Sequence, residues 1–220
     1  DDDNNGWIDD VHGINAFADT GDPMDQHGHG THCSGTIGGV GNNGIGITGV
    51  AWDVQIMACQ FLSPFGFGMT ADAIECIDYA RLQGAHIISN SWGGGPFSRA
   101  LFDAISRTKD ADIIFTAAAG NSGSDNDAIP QYPASYELDN IVAVAATDRN
   151  DDITWFSCFG ATSVDIGAPG QDIYSSIADS DNSYDFYSGT SMACPHVSGA
   201  LALIKSAFPN SSYDQLIQRM

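Results

Sequence analysis

The sequence predicts an α/β domain built on a doubly wound, mainly parallel sheet with helices on both faces. Three observations lead there. Short strand-like runs alternate with helical patterns of 12 to 14 residues, the rhythm of βαβ units. The most apolar runs, 113–119 and 141–146, have strand length and fall far short of the roughly 20 apolar residues of a membrane span. The 220 residues are 43% apolar, enough for one well-buried core.

The elements follow in order. The first 28 residues are polar and receive no assignment. Residues 54–61 read as a strand and 70–83 as a helix, with Thr70-Ala71-Asp72 supplying the N-cap. A strand at 86–90 leads to a helix over 98–109 capped by Ser98, then to strands at 112–117 and 141–146. Two short runs, 163–166 and 172–175, read as further strands. A helix over 191–208 is ended by Pro209-Asn210, and Ser211 or Ser212 caps another that has run two turns at Met220. With no internal repeat and no low-complexity linker, the chain reads as one domain over 1–220, truncated at both ends.

Charge narrows the function. Seven Lys plus Arg stand against 28 Asp plus Glu, a net −21. Such a chain lacks the basic face that nucleic acid requires and is repelled by anionic lipid. The acid is almost all aspartate, with Glu75 and Glu137 the exceptions. Aspartate favours caps, turns and hard-cation sites, and 25 glycines agree with a loop-rich domain. Much of the acidity reads as solvated surface.

Three segments are unusual ways to build structure. The first is His27-Gly28-His29-Gly30-Thr31-His32-Cys33-Ser34-Gly35. Zinc on one helix wants histidines at i,i+4 with a nearby acid, whereas His29 and His32 are at i,i+3 among glycines. The second is Ala117-Ala118-Ala119-Gly120-Asn121-Ser122-Gly123, at the C-terminal end of an apolar strand. Parallel sheets bind ligands at that end, though a tight turn with a left-handed asparagine would look the same. The third is Ser188-Gly189-Thr190-Ser191-Met192-Ala193-Cys194-Pro195-His196, where a serine before a helix could be only a cap and Pro195 supports the helix start.

Together, in this order, the three segments resemble the subtilisin-like serine proteases, the subtilases. HGTHCSGT, AAAGNSG and GTSMACPHVSG match the family's three motifs, and Asn90-Ser91-Trp92-Gly93, Tyr132-Pro133-Ala134 and Asp165-Ile166-Gly167-Ala168-Pro169-Gly170 echo others. The resemblance covers the whole chain. It implies a secreted, monomeric endopeptidase in which Ser191 attacks the peptide carbonyl and His29 is the general base. Spacing alone does not choose among His27, His29 and His32; the motif selects His29. The Asn121 amide and the Ser191 N–H would stabilise the oxyanion. An extended polypeptide substrate would lie between Ser91-Trp92-Gly93 and Gly66-Phe67-Gly68. The pocket for the residue before the scissile bond would lie between 91–93 and Ala118-Ala119-Gly120, with small neutral walls suited to a large apolar side chain.

One departure matters. The resemblance calls for an aspartate on an early strand to orient the histidine, and this chain has no such strand. Asp19-Thr20-Gly21 imitates the motif in letters, but it lies ten residues before His29 in a polar loop with no apolar run leading in. The acid is therefore expected upstream of Asp1, and losing that strand should leave the sheet unpaired and apolar surface bare. A non-catalytic peptide-binding module lacking its acid is the alternative, and intact His29, Asn121 and Ser191 argue against it. A thiol or metal hydrolase using Cys33 or the histidine cluster is a third reading.

The opening segment, 1–10, places oxygen ligands at Asp1, Asp3 and Asn5, followed by Gly6, like the first half of an EF-hand loop. His12 stands where that loop needs Glu, so the reading is a partial calcium site, Asp1, Asp3 and Asn5 being completed by the Trp7 carbonyl and Asp9 or Asp10. The five cysteines, Cys33, Cys59, Cys76, Cys158 and Cys194, show no zinc spacing and are odd in number, so at least one is unpaired within the chain. Most read as small buried hydrophobes, Cys33 and Cys194 included.

Overall fold

The computed structural model describes residues 5–220. Its centre is a four-stranded parallel sheet in sequence order: β3 (Ile87–Asn90), β4 (Ile114–Ala118), β5 (Ile141–Thr147) and β6 (Ile166–Pro169). Separate from it, β1 (Gly13–Asn15) and β2 (Ala58–Gln60) form a two-stranded parallel ladder, and β7 (Ile173–Ser176) pairs antiparallel with β8 (Tyr184–Tyr187). The helices are α1 (His29–Gly38), α2 (Thr70–Leu82), α3 (Arg99–Asp110), α4 (Thr190–Ala207) and α5 (Tyr213–Ile217).

Both faces of the sheet are covered, and the alternation of side chains along a strand shows how. Ile114, Ala118, Val142, Val144 and Ala146 turn to one face, where Ala193, Val197 and Leu201 of α4 cover them. Phe115, Ala117, Ile141 and Ala143 turn to the other, against Ile77 of α2 and Leu101, Ala104 and Ile105 of α3. Every residue of β4 is buried, which is why 113–119 carries no polar face. Each fully buried aliphatic side chain here stabilises the fold by about 1.5–3 kcal/mol.

The predicted doubly wound sheet is present, and so are its principal helices. Boundaries moved where end signals were weak: the strand expected over 54–61 contracts to β2, and that at 163–166 becomes β6. Ser98 caps α3 as expected, accepting the Leu101 N–H at 3.3 Å. Met69, not the Thr70-Ala71-Asp72 run, occupies the N-cap of α2, without a side-chain cap. Three elements had no prediction: β1, β8 and α1.

The parallel ladder is interrupted. β2 and β3 are consecutive strands joined by α2, yet they do not pair with each other. β3 is half-buried along Ile87, Ile88 and Ser89, and Ile56 and Met57 beside β2 are 41% and 37% exposed. The edge of β3 that faces away from β4 therefore carries no ladder partner among the described residues.

Candidate active site

The start of α4 is built around Pro195. A proline inside a helix cannot donate to the carbonyl four residues earlier, here that of Ser191. Two side chains take over: Ser91 Oγ donates to the Ser191 carbonyl at 2.8 Å and Cys33 Sγ at 3.4 Å. The Ser191 hydroxyl in turn donates to the Ser91 carbonyl at 3.0 Å. Segment 91–93, helix α1 and the serine are thus tied together at the carboxyl end of the sheet. Beneath them Thr116, Ser198 and Ser89 form a hydroxyl chain with 2.8 Å links, buried between α4 and the sheet.

Helix α1 carries His29 as its first residue. Its sequence, rich in glycine, is a poor helix former, and Asp25 organises the start from outside. Asp25 accepts the N–H groups of His27, Gly28 and Thr31 and the Thr31 hydroxyl at 2.7–2.9 Å. Burial opposes ionisation of this carboxyl, but the bonds from Gly28, His27 and Thr31 outweigh it and hold it below the usual range. Gly35 lets α1 settle on β7, because a Cβ there would collide with the hydroxyls of Ser175 and Ser176. Those hydroxyls donate back to the carbonyls of His32 and Thr31.

The structure separates the three histidines that spacing could not. His32 is fully buried, its Nε2 lies 2.9 Å from the Ile173 carbonyl, and its ring stacks on Tyr187 at 4.5 Å. It anchors the β7–β8 hairpin to α1. His27 is exposed, beside Gly66. His29 is half-buried, and its ring makes no hydrogen bond among the described residues. Burial pushes its pKa below the ordinary 6.5, His27 and His32 push the same way, and Asp25 opposes them. Asp19, by contrast, is exposed in the turn after β1, where its charge acts on Glu75.

Asn121 is oriented by a residue not singled out in the sequence. Its Oδ1 accepts the Thr190 N–H at 2.8 Å and the Thr190 hydroxyl at 3.0 Å. The Gly120 N–H bonds to the same hydroxyl at 3.1 Å. With the oxygen committed, the Asn121 NH₂ is the end left to meet a ligand. A cavity of about 140 Å³ opens there, lined among others by Trp92, Gly93, Ala118, Gly120, Asn121 and Ser191. Gly94, Gln131 and Thr190 also line it and were not anticipated, although Thr190 sits inside the third motif. Among the described residues no charged side chain lines it.

Ala119 does not line the cavity. It is fully buried, its carbonyl accepting Asn126 Nδ2 at 2.9 Å. Gly66-Phe67-Gly68 do not line it either; they form the exposed turn after β2. That turn adjoins segment 91–93, because Phe61 at its base meets Trp92 edge-on at 5.1 Å.

Cys33 and Cys194 behave as buried thiols. Burial pushes Cys33 up to about 12 and raises Cys194 as well, so neither offers a thiolate near neutrality.

Of the calcium set, Asp1 and Asp3 lie outside the described residues. Asn5 Oδ1 accepts the Trp7 N–H at 2.7 Å, and Asn5 Nδ2 donates to Asp10 Oδ2 at 2.8 Å, so Asn5 would have to rotate to present its oxygen to an ion. Hydrogen bonds from Tyr79 and Asn5 lower the pKa of Asp10 and keep it ionised. The donors are all hard oxygens, which fits calcium chemically. Among the described residues no cluster of His, Cys, Asp or Glu is placed to hold a metal.

A crevice at the carboxyl ends of a parallel sheet, lined by a serine and an oriented amide, is where an α/β protein of this kind binds ligands. The chain belongs to the subtilase family, whose model matches residues 1–220. It is 40% identical over 195 residues to subtilisin-like protease 2 of Plasmodium falciparum, covering 87% of this chain and 14% of that protein. Against subtilisin-like protease 1 of Plasmodium vivax it is 35% identical over 235 residues, 99% of this chain and 37% of the other. Thermitase of Thermoactinomyces vulgaris is 42% identical over 184 residues, 84% of this chain and 63% of that one. The crystal structure of a cold-adapted subtilisin-like serine proteinase superposes with a TM-score of 0.83 at 36% identity, covering 94% of this chain and 71% of that chain. The chain therefore spans well under half the length of the Plasmodium relatives.

Proposed function

We propose that the chain carries the nucleophile, base and oxyanion site of a secreted serine endopeptidase acting as a monomer. The observation that carries this reading is the cavity where Ser191 and the Asn121 amide meet, with α1 fastened to the Ser191 carbonyl through Cys33. The Ser191 hydroxyl leaves its resting bond to Ser91 and passes its proton to His29, a neutral base at pH 7 because burial disfavours its cation. The attacked carbonyl becomes an oxyanion held by the Asn121 NH₂ and the Ser191 N–H at the helix start. The acyl-enzyme on Ser191 is then hydrolysed. Polypeptide lies along 91–93 and the 66–68 turn, and the uncharged cavity favours a large apolar residue over a basic one. A peptide library cut mainly after Arg or Lys would contradict that preference.

In this reading the acid that orients His29 is neither Asp19, whose charge acts on Glu75, nor Asp25, whose carboxylate is engaged by backbone N–H groups and the Thr31 hydroxyl. The interrupted ladder between β2 and β3 is where a strand bearing it fits. Calcium, held by Asp1, Asp3, Trp7 and Asp10 with Asn5 rotated inward, would supply a fixed positive charge that steadies the acidic segment.

The test is labelling of the 220-residue chain with a fluorophosphonate probe, mapped by mass spectrometry. Modification at Ser191, absent in Ser191→Ala, is expected. An unlabelled but folded chain would favour the non-catalytic peptide-binding reading, and labelling that survives Ser191→Ala would assign the chemistry elsewhere.

A further inference from the structure

We propose that Asn126 is a positioning residue of the oxyanion site: it locks the peptide group between Ala119 and Gly120, and through that plane it sets the aim of the Asn121 amide. Both ends of this one peptide group are held, by different parts of the chain. Asn126 Nδ2 donates to the Ala119 carbonyl at 2.9 Å, and the Gly120 N–H donates to Thr190 Oγ1 at 3.1 Å. The following peptide is held as well, its Gly120 carbonyl accepting the Cys158 N–H at 2.9 Å. Asn121 comes next, and its Oδ1 bonds to the same Thr190 hydroxyl.

Gly120 is the reason a lock is needed. Its φ is 111°, a value that residues with a side chain rarely adopt. Reversing the Ala119–Gly120 peptide carries φ to negative values, which glycine accepts equally well. Sterics at Gly120 therefore do not choose between the two orientations; the hydrogen bonds do. The reversed plane would bring the Ala119 carbonyl to the Thr190 side in place of the Gly120 N–H. There it would compete with Asn121 Oδ1 for the single proton of the Thr190 hydroxyl.

Asn126 is built in rigidly for this task. It is 1% exposed, and its Oδ1 has no partner among the described residues, so what its burial accomplishes lies in the NH₂. Its own N–H donates to the Phe159 carbonyl at 2.6 Å. The next residue, Asp127, accepts the hydroxyls of Thr162 and Ser163 at 2.9 and 2.6 Å. Phe159 follows Cys158, so one segment holds both the Gly120 carbonyl and the backbone of Asn126. That Asn121 faces an oxyanion rests on the protease reading; the clamp on the peptide does not.

The experiment uses Asn126→Leu, which keeps the branched shape and removes the donor, alone and combined with Asn121→Ala. Two rates are read: fluorophosphonate labelling of Ser191 at saturating probe, and deuterium exchange of the Gly120 amide by NMR. Asn126→Leu should slow saturated labelling about tenfold without changing the half-saturating probe concentration, and by under about twofold once Asn121 is alanine, because it acts through that amide. An equal loss in both backgrounds, the mark of a merely structural role, overturns the inference. The Gly120 amide should exchange about tenfold faster in Asn126→Leu while that of Val144 in β5 is unchanged. Unchanged Gly120 exchange overturns the clamp. A folded, unsubstituted chain that does not label refutes the protease reading instead, and the exchange rates then decide the clamp by themselves. Asn126→Ala, read by the same two rates, decides where Asn126→Leu does not fold.

Discussion

At the level of single residues, the site works by removing ordinary bonds and replacing them from elsewhere. Pro195 strips the Ser191 carbonyl of its helical donor, and Ser91 and Cys33 restore it from two other elements. Ser91→Ala should therefore cost about 1–2 kcal/mol of stability, measured by denaturant unfolding, since a partly buried carbonyl loses its better donor. Thr190 aims Asn121 by holding its Oδ1. Thr190→Val should slow fluorophosphonate labelling about tenfold, the equivalent of one lost hydrogen bond, with the circular-dichroism spectrum unchanged. If His29 is the base, it sets the pH dependence. Its proton is held less tightly than that of a free imidazole, so the acid limb of the labelling rate should have its midpoint below 6.5. A midpoint above 7 would mean an ionised carboxylate already sits against the ring. The motifs singled out Ser191, His29 and Asn121, and the structure brings Ser191 and Asn121 to one cavity. Thr190 and the anchoring role of His32 were not singled out, because each acts through a partner distant in the chain, and Asp25 was not, because it acts through backbone N–H groups that leave no pattern of side chains.

At the level of elements, legibility followed burial pattern. β4 and β5 announced themselves because parallel strands covered on both faces are near-continuous apolar runs, broken here only by Thr116 and the terminal Thr147. α1 stayed hidden because HGTHCSGTIG has neither apolar period nor good helix formers. It is helical because Asp25 holds its first turn and because α4 and β7 pack on it. β8 was unreadable for a related reason: Tyr184–Tyr187 are half-exposed, and the strand exists by pairing with β7. α4 is the element on which the rest converges, lying across all four strands of the main sheet. Leu201→Ala, at 0% exposure in its centre, should cost about 2–5 kcal/mol, read as a shift of the urea midpoint. Ser98→Ala at the cap of α3 should cost only about 1 kcal/mol by the same measurement.

For the molecule as a whole, pH and calcium should act on stability through different groups. Burial lowers the pKa values of His29, His32 and His196 below 6.5. The unfolded chain then binds more protons just under that pH than the folded one does, so stability rises with pH through this window. Thermal scans should show Tm falling as the pH drops from 7 toward 5.5; a flat profile would mean these rings ionise freely in the folded state. If calcium binds at the acidic segment, EGTA should lower Tm at pH 7 and Asp10→Asn should remove the response. The interrupted ladder adds a dynamic consequence. β4 and β5 have hydrogen-bonded neighbours on both sides, whereas the β1–β2 pair meets the main sheet with no ladder across the join. The join is a seam along which the molecule can breathe. Amide hydrogens of β4 and β5 should exchange with solvent deuterium only through global opening, and those of β1, β2 and β3 through far cheaper local fluctuations. A strand supplied to the seam would be felt first as a slowing of that faster class, before any gain in catalysis.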